Sequence, residues 1–283
     1  MKIAAIDLDG TLLHSDCTVS EYTKNVISRA CREGIMVVPT SGRCYRSIQE
    51  QIKGIEGIRY CISSNGTAMT EVETETFVYN HKIPQELAYE IYSYIRQENG
   101  FVEIYSDNDT YVENDVRHIF YDVSGNKTFC DNLFATTIPI LSANLLLKRG
   151  LMKVNKFSGC FDTVEKTQRF VDKFEKTEGV IITRPFPYSF EIFYEGSNKD
   201  EGLRILCERY HIDRSDVFAI GDSNNDISMI EFAGTGAAVS NAMDVLKEKA
   251  DIVIGSNDED GPAHFLEEIL SKQENDGKKI EKK

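Results

Sequence analysis

Short, largely apolar runs recur along this chain, and each is followed by small or polar residues. The runs are IAAI before Asp7, IMVVP before Thr40, YCIS before Ser64, VFAI before Gly221, and DIVIG near the end. A strand with one exposed face alternates apolar and polar residues, whereas a parallel strand that is covered on both faces does not. Helical patterns separate these runs. The sequence therefore predicts a doubly wound α/β core with a parallel sheet.

The middle of the chain has a different pattern. Runs such as FVEIYS, MKVNKF and SFEIFYE alternate, and helical segments such as PQELAYEIYSYIRQENG separate some of them. Alternation predicts strands with one buried and one exposed face, and hence a smaller inserted α+β domain. We predict a discontinuous core of residues 1–83 and 188–271, an inserted domain of residues 84–187, and a polar, disordered tail at 272–283.

Charge and cysteine usage narrow the classes of function. The 283 residues include 46 acidic and 32 basic ones, and the net charge of −14 disfavours nucleic acid as a partner. The seven cysteines are scattered and contain no C-x-x-C pair, so the sequence predicts neither a disulfide framework nor a zinc site. No apolar run is long enough to cross a membrane, and no secretion signal is evident. We expect a cytoplasmic protein.

Two carboxylates follow the first apolar run, in the stretch Ile6-Asp7-Leu8-Asp9-Gly10. Side chains at positions i and i+2 of a strand point to the same side. Asp7 and Asp9 can therefore both face the crevice at the carboxyl ends of the strands, where α/β sheets bind ligands. Taken alone, the stretch is equally compatible with a strand that ends in an Asp-Gly turn.

Three further stretches carry chemically active residues after an apolar run or at a helix start. VVPTSGR contains Ser41, Gly42 and Arg43, SNKDEGL contains Lys199, and FAIGDSNND contains Asp222, Asn225 and Asp226. Together with Asp7 and Asp9 they supply carboxylates, a hydroxyl and an ammonium. This combination of groups suits the binding of a phosphate with a hard cation.

With these four stretches in this order, the chain resembles the haloacid dehalogenase (HAD) superfamily. Within it, the chain is most similar to the Cof-type phosphatases, which carry a C2-type (IIB) cap between the second and third motifs. The resemblance continues into SNAMDVLKEKADIVIGSNDEDGPAHFLEEIL and covers nearly the whole chain. It implies a phosphatase that uses Mg²⁺ and an aspartyl-phosphate intermediate, with the inserted domain as its cap.

The resemblance implies a role for each acidic residue of the first and last stretches. Asp7 would be the nucleophile that takes the phosphoryl group, and Asp9 the general acid and base. The Mg²⁺ ligands would be the carboxylates of Asp7 and Asp222 and the backbone carbonyl of Asp9. General chemistry supports a cation here, because Asp7 and a phosphate are both anionic and must be brought together.

The resemblance also implies how the phosphate is bound. The hydroxyl of Ser41 and the ammonium of Lys199 would contact it, with Gly42 and Asn225 beside it. Asp226 would orient Lys199 or a metal-bound water. The family more often has threonine at the position of Ser41, but serine keeps the hydroxyl.

Other residues have more than one interpretation. After Lys199 the family generally has glycine, whereas this chain has Asp200, which we expect to face solvent in the first turn of a helix. Asn65-Gly66 is compatible with a hairpin turn or with a lining of the site. For Arg43 we expect a structural salt bridge in the helix that follows rather than contact with substrate.

The sequence predicts a phosphoric monoester hydrolase for small phosphorylated metabolites, with sugar phosphates as the leading class. Two alternatives stay open, namely a phosphomutase of the same superfamily and a non-catalytic sensor on this fold. The expected partner is a small phosphorylated molecule, with no nucleic acid and no membrane, and the oligomeric state is not indicated. Near the hinge of the cap and its point of re-entry into the core, Arg184, Tyr188 and Glu191 are candidate contacts to the substrate, although for Tyr188 we expect packing instead.

Overall fold

The computed structural model describes the backbone of residues 1–280 and the side chains of residues 1–273. In chain order, the strands within the described residues are β1 (Lys2–Asp7), β2 (Ile35–Thr40), β3 (Tyr60–Ser63), β4 (Ala68–Glu71), β5 (Thr76–Asn80), β6 (Phe101–Ser106), β7 (Asp109–Glu113), β8 (Ile138–Ile140), β9 (Lys156–Cys160), β10 (Val180–Thr183), β11 (Ser189–Tyr194), β12 (Val217–Gly221), β13 (Thr235–Val239) and β14 (Ile252–Ile254).

The helices of the same residues are α1 (Glu21–Arg32), α2 (Tyr45–Gln51), α3 (Gln85–Gln97), α4 (Arg117–Ser124), α5 (Lys127–Ala135), α6 (Asn144–Lys148), α7 (Val164–Phe174), α8 (Lys199–Tyr210), α9 (Ile227–Phe232), α10 (Asp244–Lys249) and α11 (Gly261–Ile280). Helix α1 begins after Ser20, whose side chain accepts a hydrogen bond from the backbone N–H of Thr23 at 3.0 Å and so caps the helix.

The chain divides into two compact units. The core unit consists of Met1–Arg43, Ile48–Val78 and the chain from Asn198 onward, and the inserted unit consists of Cys44–Ser47 and Tyr79–Ser197. The predicted return to the core at residue 188 is too early. Strand β11 pairs antiparallel with β9 and β10 in the sheet of the inserted unit, as the alternation in SFEIFYE already indicated.

The core sheet has the order β14-β13-β12-β1-β2-β3-β4-β5. The six strands from β14 to β3 in this order are parallel, and β4 runs antiparallel to β3. This confirms the predicted α/β class with a parallel sheet. Strand β1 lies between β2 and β12, with Asp7 opposite Thr40 and Ile6 opposite Ile220. The order of the strands therefore reverses beside β1, which is where such sheets form a binding crevice.

The sheet of the inserted unit has the order β10-β11-β9-β6-β7-β8, with antiparallel pairs except for β7 and β8. Helices α3, α6 and α7 contribute to an apolar cluster with one face of this sheet, which presents Ile104 and Phe157. Helices α4 and α5 contribute to a second cluster that contains Phe101 and Cys160. Because neighbouring residues of a strand point to opposite faces, β6 and β9 contribute to both clusters.

The last helix is longer than the sequence indicates. We predicted that residues 272–283 are disordered, but α11 continues to Ile280, and residues 281–283 lie outside the described part. Lysine, glutamate and glutamine are good helix formers, so a polar composition does not by itself end a helix. Within residues 1–280, no helix is both long enough and apolar enough to cross a membrane.

Candidate active site

A buried lysine connects two carboxylates at the carboxyl end of β1. Lys199 Nζ donates to Asp7 Oδ1 at 2.6 Å and to Asp226 Oδ1 at 2.6 Å. The side chains of Lys199, Asp7 and Asp226 are 1%, 6% and 0% exposed. Charges this deeply buried are retained only when they are paired. The structure therefore brings together three of the residues that the sequence assigned to one site.

The turn between β3 and β4 packs against the start of α8, where Lys199 is the first residue. Gly66 in this turn has a φ of +92°, and a Cβ at this position would lie 2.3 Å from the carbonyl oxygen of Asn198. Only glycine satisfies both the conformation and the close approach. The Asn65-Gly66 dipeptide thus closes the β3–β4 hairpin and also lies beside the proposed site.

Asp226 uses both of its oxygens in fixed hydrogen bonds. Oδ1 accepts from Lys199, and Oδ2 accepts from the backbone N–H groups of Asp222 and Ser223, at 3.0 Å each. The Ser223–Asp226 segment forms a capping box that holds this turn after β12. A carboxylate with so many donors is suited to orienting Lys199, which is the role that the sequence resemblance implies for Asp226.

Asp222 lies close to the loop that follows β1. Thr11 donates to Asp222 Oδ1 at 3.3 Å. Gly10 has a φ of +73°, and a Cβ there would lie 2.7 Å from Asp222 Oδ2, so glycine is needed for this approach. One carboxylate oxygen from each of Asp7, Asp222 and Asp226 lies within 4.8 Å of the others. These hard oxygen donors fit Mg²⁺ in their chemistry.

The electrostatics of this cluster favour an added cation. Burial, together with the neighbouring Asp226, raises the pKa of Asp7 well above its usual value, although Lys199 acts in the opposite direction. Burial and Asp226 also raise the pKa of Asp222, to about 6. Burial alone would lower the pKa of Lys199, but Asp226 and Asp7 outweigh it and raise that pKa. One buried ammonium thus faces three carboxylates, and a divalent cation would offset the excess negative charge.

Asp9 has a different environment from Asp7. Its side chain is 54% exposed, and Arg43 contacts both of its oxygens, with Nε–Oδ2 at 2.8 Å and Nη2–Oδ1 at 2.5 Å. This is the bidentate geometry that arginine forms with carboxylates. We expected Arg43 to pair within the following helix, whereas its carboxylate partner is the predicted acid-base residue.

The polar residues that follow β2 and β12 lie in the same unit. Ser41 is buried directly after β2, and its Oγ accepts from the backbone N–H of Arg43 at 3.2 Å. Asn225 donates from Nδ2 to Asn65 Oδ1 at 3.2 Å. Gly42 lies between Ser41 and Arg43. Three of the predicted phosphate-binding residues, Ser41, Gly42 and Asn225, therefore follow strands that flank β1.

Two residues that support this site were not identified from the sequence. Besides Thr11, Asn241 donates from Nδ2 to the carbonyl oxygen of Gly10 at 2.7 Å, and its own Oδ1 accepts from the N–H of Asn257 at 3.0 Å. Asn241 follows β13, so the strand-end pattern that identified Asp222 could also have identified it. These contacts anchor the loop that carries Asp9.

The three candidate substrate contacts of the inserted unit have different environments. Arg184 donates to Gln168 Oε1 at 2.7 Å and to the carbonyl oxygen of Pro187 at 2.8 Å. Glu191 accepts from Lys156 Nζ at 2.6 Å. Tyr188 is 44% exposed. Arg184 thus stabilises the turn between β10 and β11, and both Arg184 and Tyr188 are exposed.

We expect Lys199→Met to lower the free energy of unfolding by about 3–5 kcal/mol, because it leaves buried carboxylates without their cation. Without Lys199, the influences that remain on the pKa of Asp7 mostly raise it. The folded state then binds more protons than the unfolded state, so stability falls as pH rises through the folded pKa and recovers as pH falls. Urea unfolding at about pH 5 and pH 8 measures this.

The matched control for this prediction is Lys249→Met. Lys249 pairs with Glu231, and its side chain is 39% exposed. Lys249→Met should lower the free energy of unfolding by less than about 1 kcal/mol, because the pair that it removes is exposed to solvent. Equal effects of the two substitutions would contradict the buried ion network.

Comparisons with known proteins agree with this geometry. The family model for haloacid dehalogenase-like hydrolases matches residues 4–266. Phosphatase YwpJ of Bacillus subtilis is 30% identical over 288 residues, covering 95% of this chain and 100% of the relative. The 5-amino-6-(5-phospho-D-ribitylamino)uracil phosphatase YwtE of B. subtilis is 29% identical, covering 96% and 99%. A solved haloacid dehalogenase-like hydrolase from B. subtilis has a TM-score of 0.81 at 28% identity, covering 94% and 99%.

Proposed function

The chain belongs to the haloacid dehalogenase-like hydrolase family and is a phosphoric monoester hydrolase, and from this we propose that it hydrolyses small phosphorylated metabolites through a phosphoryl group carried on Asp7. The observation that carries the proposal is the contrast between the two carboxylates at the carboxyl end of β1 and just beyond it. Asp7 is buried against Lys199, and Asp9 is half exposed against Arg43. Two carboxylates in different environments can perform different chemical roles.

In the proposed first step, Asp7 Oδ attacks the phosphorus atom of the ester. The bond from phosphorus to the leaving oxygen breaks, and Asp9 gives that oxygen its proton. Lys199 and the hydroxyl of Ser41 bind the phosphate oxygens, with Gly42 and Asn225 beside them. Splitting the displacement into two transfers replaces one difficult step by two easier ones.

In the second step, a water molecule attacks the phosphorus of the aspartyl phosphate. Asp9, now ionised, takes the proton of this water, and inorganic phosphate leaves with the carboxylate of Asp7 restored. Asp226 keeps Lys199 in place through both steps by its 2.6 Å contact. No net change of protonation remains on the chain after one turnover.

The donor set of the site supports Mg²⁺ as the cofactor. The ligands that we propose are the carboxylates of Asp7 and Asp222 and the backbone carbonyl of Asp9, because the oxygens of Asp226 already accept from three donors. When bound, the ion would neutralise the charge of the phosphate and of the attacking carboxylate.

The experiment that tests this function is the release of inorganic phosphate from a panel of phosphate esters. We expect activity with Mg²⁺, loss of activity with a chelator and recovery when Mg²⁺ is added back. Ca²⁺ should support the reaction poorly, because its coordination shell is larger and looser. Full activity in excess chelator would contradict the proposed role of the metal, and isomerisation of a sugar phosphate without phosphate release would indicate a mutase.

Two classes of substrate are to be compared in this panel. The sequence analysis favours sugar phosphates. One relative is named for a phosphoribityl chain joined to an aminouracil ring, which supports the inclusion of phosphate esters that carry a heteroaromatic ring. Both classes share the phosphate that the core unit would bind, so they differ only in the leaving alcohol.

A further inference from the structure

The inserted unit contains a cavity of about 420 Å³. Pockets that bind small molecules have volumes of roughly 300–1,000 Å³. One of its lining rings, Phe101, is 1% exposed, whereas Phe129, Phe186 and Tyr188 are 53%, 71% and 44% exposed. The buried ring of Phe101 therefore forms part of the floor of the cavity, and the exposed rings form its mouth.

The cavity is walled mainly by aromatic and apolar groups. Phe120, Leu133 and Pro185 complete the apolar part of the lining. Phe120 stacks on Phe101 with ring centroids 4.6 Å apart and an interplanar angle of 29°. Flat faces of this kind bind another flat ring through dispersion and through offset or edge-to-face contacts. Phe129 and Phe186 at the mouth are large apolar groups whose exposure is costly unless they cover something.

One carboxyl group lies among these rings. Glu103 lines the cavity and is 7% exposed. It is hydrogen-bonded to Ser158, which lines the same cavity. The nearby Lys156 is also buried, but its Nζ donates to Glu191 at 2.6 Å. Two carboxylates, those of Glu103 and Glu191, therefore lie near the single ammonium of Lys156. Glu103 can accept a hydrogen bond from a further donor.

The electrostatics of Glu103 agree with this geometry. Burial raises the pKa of Glu103 to about 7, and Glu191 adds to the effect while Lys156 opposes it. A buried carboxylate that gains a hydrogen-bond donor is stabilised in its charged form. A bound N–H or cationic donor would therefore satisfy a group that the protein itself satisfies only in part.

We propose that this cavity is a binding site for a planar aromatic group that carries an N–H donor, with the ring between the phenylalanine side chains and the donor on Glu103. A sugar suits the cavity poorly, because most of its hydroxyls would meet apolar walls and lose their hydrogen bonds to water.

The proposal is tested by calorimetry with the full chain and benzamidine, a flat aromatic ring whose amidinium group presents two N–H donors that match a carboxylate. Cyclohexanecarboxamidine, which has the fork without the flat ring, and benzoate, which has the ring without the donor, are the comparison ligands. We expect benzamidine to bind more tightly than either. Equal binding of the two amidines, or no binding of benzamidine, would overturn the proposal.

Variants locate the binding. Glu103→Gln should lower the affinity for benzamidine by about 10- to 100-fold, because a charged hydrogen bond is lost. Phe186→Ala should lower this affinity by about tenfold. Leu151→Ala is the matched control, since Leu151 is an apolar residue of the same unit that is 70% exposed and does not line the cavity. Phe186 is too exposed for its loss to threaten folding. Unchanged affinity in Phe186→Ala and Glu103→Gln would show that the ligand binds elsewhere.

Discussion

Asp7→Asn is expected to lower kcat by at least on the order of 10⁴-fold, because an amide is a far weaker nucleophile than a carboxylate and removal of a catalytic nucleophile has effects of this size. The fold should persist. Asparagine has nearly the same volume, and the substitution removes one negative charge from a buried cluster of three carboxylates. The measurement is steady-state hydrolysis of p-nitrophenyl phosphate with Mg²⁺, together with urea unfolding of the same sample.

The matched control is Asp122→Asn. Asp122 is exposed in α4 and has no place in the proposed chemistry, so its turnover should equal that of the unmodified chain. If the Asp7→Asn variant remained folded and retained a tenth of the activity, Asp7 would be excluded as the nucleophile.

The second large effect is expected for Asp9→Asn, which should slow turnover by on the order of 10²- to 10⁴-fold, the usual contribution of a positioned acid-base group. The size of the loss should depend on the leaving group. An alkoxide needs a proton as it departs, whereas nitrophenolate departs without one. The loss in the first transfer should therefore be larger for an alkyl phosphate than for p-nitrophenyl phosphate, and rapid mixing separates this transfer from the second.

Arg43 provides a related test of Asp9. Because Arg43 holds both oxygens of Asp9, Arg43→Met should release this carboxylate without removing it. We expect Arg43→Met to lose less turnover than Asp9→Asn does. The loss should again be larger for alkyl than for aryl phosphate esters. A loss that is equal for all leaving groups would indicate that Arg43 acts on the phosphate and not through Asp9.

The sequence predicts the core sheet well because its signal is local. Each parallel strand that is covered on both faces appears as a short apolar run, and the reacting groups follow these runs directly. Asp7 and Asp222 were found in this way, and their clustering follows from β1 and β12 being neighbours. Lys199 lacks a strand before it in the core sheet, and its assignment depended on the resemblance to a known family.

Features that depend on partners distant in the chain were not predictable. The pairing of Arg43 with Asp9 and of Asn241 with Gly10 requires the loops to be placed first. The boundary was placed before β11 instead of after it, although the alternation in SFEIFYE favoured the inserted sheet, because the pairing of β11 with β9 and β10 is not visible in the sequence. The cavity of the inserted unit is likewise invisible in the sequence, since its lining residues come from five separate segments of the chain.

The most direct test of the central claim, that Asp7 carries the phosphoryl group, is a rapid-mixing experiment on Asp9→Asn with Mg²⁺ and ³²P-labelled p-nitrophenyl phosphate. The first transfer does not need a proton for this leaving group, but the attack of water needs the missing base, so the intermediate should accumulate. We predict a burst of nitrophenolate that is stoichiometric with the enzyme, and an acid-quenched label on the peptide that contains Asp7. Continued turnover with neither a burst nor a label, or a label on another residue, would contradict the account.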